Sequence, residues 1–180
     1  MATELDKVIV VDVEATCWEK EPPTGEEAEI IEVGVCLLDV MSGEREGRRS
    51  ILVKPERSKV GDFCTKLTTL TQADVDRGVS FAAACEELAK YGVGRTWASW
   101  GDYDRRTFQG QCNAHGVRYP FGRTHLNVKN LFALRRGLHR EVGLDQAFEQ
   151  MDRQLEGTHH RGVDDAWNVA ALLWEIIRWR

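Results

Sequence analysis

No stretch of the 180-residue chain approaches the roughly 20 apolar residues of a membrane helix, and no basic segment followed by an apolar one opens it. The expectation is a cytoplasmic protein that stays out of membranes. Cysteine pairs at metal-ribbon spacing are also missing. The five cysteines, Cys17, Cys36, Cys64, Cys85 and Cys112, are odd in number and nowhere form C-x-x-C. That argues against a disulfide framework and a zinc ribbon, and predicts reduced thiols. Positive charge is short as well: 24 Lys and Arg stand against 29 Asp and Glu, a net charge of −5. A broad basic face that grips long duplex by phosphate neutralisation is therefore not expected. A polyanionic substrate would need local help, and a pair of divalent cations would supply most of it. Repeats, low-complexity tracts and linkers are absent too. What remains is one expected domain, residues 1–180, with 42% apolar and 29% charged residues, long enough to bury a core without staples.

The most informative stretch present is Val8 to Glu14, an apolar run that carries Asp12 and Glu14 at its end. In a strand, residues i and i+2 share a face, so the two acids point the same way. Four consecutive apolar residues predict a central strand covered on both faces, with two repelling anions that a divalent metal would reconcile. An edge strand with one wet face is the other reading. Residues 16–29 carry Pro22, Pro23 and Gly25 and read as a mobile rim beside the strand. A second strand is expected over Ile30–Leu38 and a third over Arg49–Val53, the three forming an antiparallel meander.

From Gly61 the spacing of Phe63, Leu67 and Leu70 is helical, and residues 71–75 read as a short turn. Ser80 caps a helix to Tyr91. A strand over Thr96–Trp100 leads into a helix ending near His115 and Gly116. A short strand at His125–Asn127 precedes helices over Val128–Arg136, Leu144–Met151 and Asp164–Arg178. The order βββ-α-β-α-β-α-α predicts an α/β fold: a mixed sheet of about five strands flanked by helices, with ligands gathering where strand ends meet helix starts.

Two carboxylates are too few for a metal pair, and further acids stand in two suitable places. After the fourth strand come Asp102 and Asp104, either of which can be an ordinary helix-start acid. Before the last helix come His159, His160, Asp164 and Asp165. An imidazole on that loop, five residues before a ligand carboxylate, is a suitable acceptor for the proton of an attacking water.

The ordered set resembles the DEDDh family of 3′-to-5′ exonucleases, which has the ribonuclease H-like fold, and most of all its histone-mRNA 3′ exonuclease branch. The likeness runs from Val8–Cys17 through Phe63–Gln72, Ser99–Asp104 and Gln109–Cys112 to His160–Ala170. It implies a metal set of Asp12, Glu14, Asp104 and Asp165 that holds two Mg²⁺ or Mn²⁺ ions. The implied general base is His160, with Glu14 counted beside it as catalytic. It further implies that Ala15, Thr16 and Cys17 hold a terminal 3′ hydroxyl, that Phe63 and Tyr103 stack on the last base, and that Leu70 lies beside it. For Phe63 and Leu70, core packing at helical spacing is the competing reading. Relatives commonly carry glycine at the position of Thr69, a departure that suggests a narrowed loop. The implied activity releases nucleoside 5′-monophosphates from the 3′ ends of single-stranded RNA or DNA, with RNA favoured. A non-enzymatic interaction protein on the same fold, and an endonuclease, are the alternatives. Oligomeric state is left open.

Overall fold

The computed structural model describes residues 6–92 and 95–178. Its frame is a five-stranded sheet in the order β3-β2-β1-β4-β5. β1 (Lys7–Ala15) lies at the centre, antiparallel to β2 (Ile30–Asp39), which pairs antiparallel with β3 (Arg45–Leu52). On the other side β1 runs parallel to β4 (Trp97–Ser99), and β4 parallel to β5 (His125–Asn127). The central-strand reading of Val8 to Glu14 therefore holds, and the wet-edge alternative falls. β3 begins four residues earlier than expected. Its first half, Arg45 to Arg49, is polar and mostly exposed, so the apolar signal marked only its buried end.

Alternation along β1 divides the core. Ile9, Val11 and Val13 pack with α3 (Phe81–Ala89) and α4 (Tyr103–His115), through Phe81, Phe108 and Cys112. Val8 and Val10 face α5 (Val128–Arg136), α6 (Leu144–Glu149) and α7 (Gly162–Ile177), meeting Phe132, Phe148 and Leu173. Each such side chain, fully buried, contributes about 1.5–3 kcal/mol of transfer free energy. Asp12 and Glu14 continue the Val8 and Val10 face, which aims them at the start of α7.

The expected helical stretch after Gly61 resolves into α1 (Asp62–Thr68) and α2 (Gln72–Val75). Threonine at 71 caps α2 reciprocally with Asp74, a capping box that the sequence reading took for a turn. Residues 16–29, expected to be a mobile rim, are tied at their far end. The Glu29 carboxylate is buried and accepts from the amides of Glu56, Arg57 and Ser58 at 3.0, 2.9 and 2.7 Å.

Thr69 ends α1 in the left-handed region, φ 63° and ψ 0°. A β-branched residue is strained there, which explains why glycine suits this position: the departure changes backbone energy rather than loop width. Left-handed geometry costs an L-residue about 1–2 kcal/mol. Thr69→Gly is therefore expected to raise unfolding stability by about 1 kcal/mol in urea titrations; an unchanged or lower midpoint would contradict the assignment of strain.

Candidate active site

β4 stops at Ser99 while β1 runs on past it, since the parallel pairing ends at Val10 and Ala98. The Val13 amide beyond that point needs another acceptor. Asp104, in the first turn of α4, supplies it: its Oδ1 accepts from Val13 N at 2.9 Å, and the carboxylate is 3% exposed. Of the two acids after Trp100, Asp104 is thus the one at the strand end. Asp102 lies at the helix start, ion-paired with Arg105 at 3.0 Å. Ser99, buried next to Asp104, donates to the Gly101 carbonyl at 3.0 Å and meets His125 Nε2 at 2.9 Å.

The last acid is brought in by close backbone contact. A Cβ on Gly34 of β2 would fall 1.9 Å from the carbonyl of Gly162, and one on Gly162 would fall 3.0 Å from the Asp12 carbonyl oxygen. Glycine at both places lets the start of α7 sit directly on β1 and β2. An ion pair with one buried partner locks the contact. Glu32, opposite Glu14 in the β1–β2 register, is fully buried and accepts from Arg161 Nε at 3.1 Å, Gly162 N at 3.0 Å and Ser50 Oγ at 2.6 Å. Glu32 and Arg161 escaped sequence reasoning because the two are 129 positions apart and neither belongs to a spacing pattern.

The outcome is a cleft of about 420 Å³ lined by Asp12, Glu14, Asp104 and Asp165 together with His159, His160 and Tyr103. Ligand atoms of Asp12, Glu14 and Asp165 all lie within 4.8 Å of one another, a spacing that can hold a cation. Asp104 borders the same cleft with one oxygen already engaged by Val13. Both histidine rings reach it, stacked on each other at 3.9 Å. His159 Nδ1 lies 3.1 and 3.2 Å from the two Asp165 oxygens, whereas His160 donates its backbone N–H to Asp165 at 3.0 Å. His160 adopts φ 62°, a conformation held by that bond and by the neighbouring Glu32–Arg161 pair. The role of His159 was not foreseen, because the family resemblance singled out only its neighbour.

The other implied substrate contacts divide. Tyr103 and Phe63 are exposed, at 51% and 41%, and only Tyr103 lines this cleft. Leu70 is buried in a small cluster with Ile31, Cys64 and Val75, so core packing accounts for it. Ala15 and Thr16 are buried, and the Thr16 hydroxyl accepts from Glu29 N at 3.0 Å. Cys17 packs against the Leu70 cluster. Lys129, Gly143, Leu144 and Asp145 complete the cleft wall and were not anticipated.

An exonuclease family model matches residues 9–173. The chain belongs to that exonuclease family. It is 28% identical to the 3′-5′ exonuclease Snipper of Drosophila melanogaster over 95% of this chain and 69% of the relative. To human 3′-5′ exoribonuclease 1 it is 30% identical over 93% of this chain, and it spans about half, 51%, of that protein. The nuclease domain of 3′hExo, a DEDDh family member solved bound to rAMP, superposes with a TM-score of 0.88 at 27% identity, covering 97% of this chain and 93% of that one. The five-stranded mixed sheet is thus the ribonuclease H-like exonuclease fold, and the DEDDh resemblance stands.

DEDDh exonucleases are metal-dependent, and the charge state of this cleft fits a cation. Burial first, then Asp104 and Glu14, drives the Asp12 carboxyl well above its usual range. Burial and Asp165 push Glu14 up to about 8, and burial lifts Asp104 to about 6 against the pull of the Val13 amide. Carboxyls raised in this way bind extra protons in the native state, so metal-free stability is present at low pH and lost as pH rises through the window from about 4 to about 8. In calorimetry under chelator, Tm should fall between about pH 5 and pH 8, and Mn²⁺ should raise it more at the upper pH, where no bound proton competes with metal. A Tm that is flat with pH, or a metal effect larger at the lower pH, would contradict this reading of the cleft.

Proposed function

We propose that this chain is a metal-dependent 3′-5′ exonuclease that releases nucleoside 5′-monophosphates from single-stranded nucleic acid, with RNA favoured. The observation that carries the proposal is the convergence of Asp12, Glu14 and Asp165 within 4.8 Å of one another, in a cleft that also takes Asp104 and His160. Names of relatives support the direction of cleavage and the RNA preference, since they include a 3′-5′ exonuclease, a 3′-5′ exoribonuclease and a further exoribonuclease.

Asp12, Glu14 and Asp165 would hold one divalent cation, and Asp12 with Asp104 a second. An all-carboxylate set suits Mg²⁺ or Mn²⁺. When bound, the ions supply Lewis acidity at the phosphoryl oxygens and ease ionisation of the attacking water. His160 takes that water's proton. Burial and then the adjacent His159 lower the His160 pKa, which keeps its imidazole neutral and able to accept at neutral pH. His159, whose pKa is raised by its bond to Asp165, orients that carboxylate. Tyr103, half exposed at the cleft edge, offers a ring for the terminal base. A single-stranded end should stack there more readily than a paired one. Ala15 to Cys17 at the end of β1 would meet the 3′ hydroxyl, with Phe63 beyond them.

A 5′-labelled single strand incubated with protein and Mn²⁺ should shorten stepwise from its 3′ end, RNA faster than DNA of the same sequence. Uncut strand after long incubation would refute the enzyme reading, and cleavage of a circular strand would point to an endonuclease. His160→Ala should lower kcat by about 10²- to 10⁴-fold while calorimetry shows metal affinity within a few-fold of the parent. Lost metal binding would mean that His160 is a ligand instead.

A further inference from the structure

Asp12, Glu14, Asp104 and Asp165 form one part of the cleft wall, and α5 with the start of α6, which adds Asp145, forms another. Lys129 stands in that wall. Among the described residues that line the cleft it is the single Lys or Arg. It lies in the first turn of α5, a helix begun by Asn127, whose side chain accepts from Asn130 N at 3.0 Å. Its stem rests against the turn that leads to Asp104, with Cδ at 3.5 Å from where a Cβ on Gly101 would be. The ammonium makes a loose pair with Glu141 at 3.8 Å, and the two side chains are 29% and 43% exposed. Ion pairs of that length and exposure contribute about 0–1 kcal/mol, so a phosphate can replace Glu141 as the partner of Lys129 at little cost.

We infer that Lys129 forms a phosphodiester subsite for the linkage one nucleotide to the 5′ side of the scissile one. The inference rests on the exonuclease reading above. In that reading the cations held by the acids serve the scissile phosphate. A single strand threading the cleft brings a second phosphate with it, and a chain with a net charge of −5 carries no overall positive charge to balance it. Among the described residues that line the cleft Lys129 is thus the one Lys or Arg placed to meet that phosphate, and the Gly101 contact constrains its stem. It is therefore a contact to the strand rather than to the reacting atoms.

The test uses 5′-labelled DNA single strands that differ at one linkage, the penultimate phosphodiester or an uncharged methylphosphonate in its place. Release of the 3′-terminal nucleotide is followed with Mn²⁺. For the parent protein the neutral linkage should lower kcat/KM about tenfold. Lys129→Ala should lower kcat/KM on the natural strand about tenfold, with no further loss on the methylphosphonate strand. Lys129→Arg should keep the parent's discrimination. The dependence of log kcat/KM on log salt should also become shallower by about 0.7 in Lys129→Ala, the value for one phosphate contact on a single strand. Equal loss on both strands, or an unchanged salt slope, would overturn the subsite and leave Lys129 a structural residue. Absence of cleavage by the parent protein on the natural DNA strand and on RNA of the same sequence would instead refute the exonuclease reading itself.

Discussion

Everything about this molecule turns on carboxylates crowded where the chain cannot keep them apart. Asp12 and Glu14 are two residues apart on one face of the central strand, Asp165 reaches to within 4.8 Å of both, and Asp104 enters from the opposite layer. Burial and mutual repulsion lift three of these groups above the usual carboxylate range. Such an arrangement costs folding free energy, and proteins retain that cost where chemistry needs it. Divalent cations relieve the repulsion, so the same crowding that raises these carboxyls equips the cleft to bind metal.

The fold can hold this cluster because its supports lie just outside it. β4 is only three residues long, and its early end frees the Val13 amide that fixes Asp104. Gly34 and Gly162 let two backbones touch, and the ion pair of buried Glu32 with Arg161 ties down the loop before α7. Glu32, buried and bonded to Arg161, Gly162 N and Ser50, supports the histidine loop. His160 is held in a left-handed conformation on that loop, with its backbone tied to the very acid that its side chain must work beside.

Much of this was legible in the sequence. Period-two alternation placed Asp12 and Glu14 on one face, and unbroken apolarity placed β1 at the centre of the sheet. Residue logic alone did not separate Asp102 from Asp104 or His159 from His160. Those choices came from resemblance, and the structure adds the physical reason for the first: only Asp104 meets the amide exposed where β4 ends. For the second it adds a partner rather than a choice, since both rings border the cleft and His159 also holds Asp165. Glu32, Arg161 and Lys129 were out of reach because their contacts join segments that no local pattern connects. Thr69 stood out in the sequence as a departure, but only its backbone angle explains why.

The central claim is that these four carboxylates form one nest for a pair of cations. Anomalous diffraction from crystals of the protein soaked in Mn²⁺ tests it most directly. The account predicts two peaks about 3.5–4 Å apart, one among Asp12, Glu14 and Asp165 and the other between Asp12 and Asp104. Manganese bound elsewhere, or no peak among these side chains at saturating concentration, would contradict it.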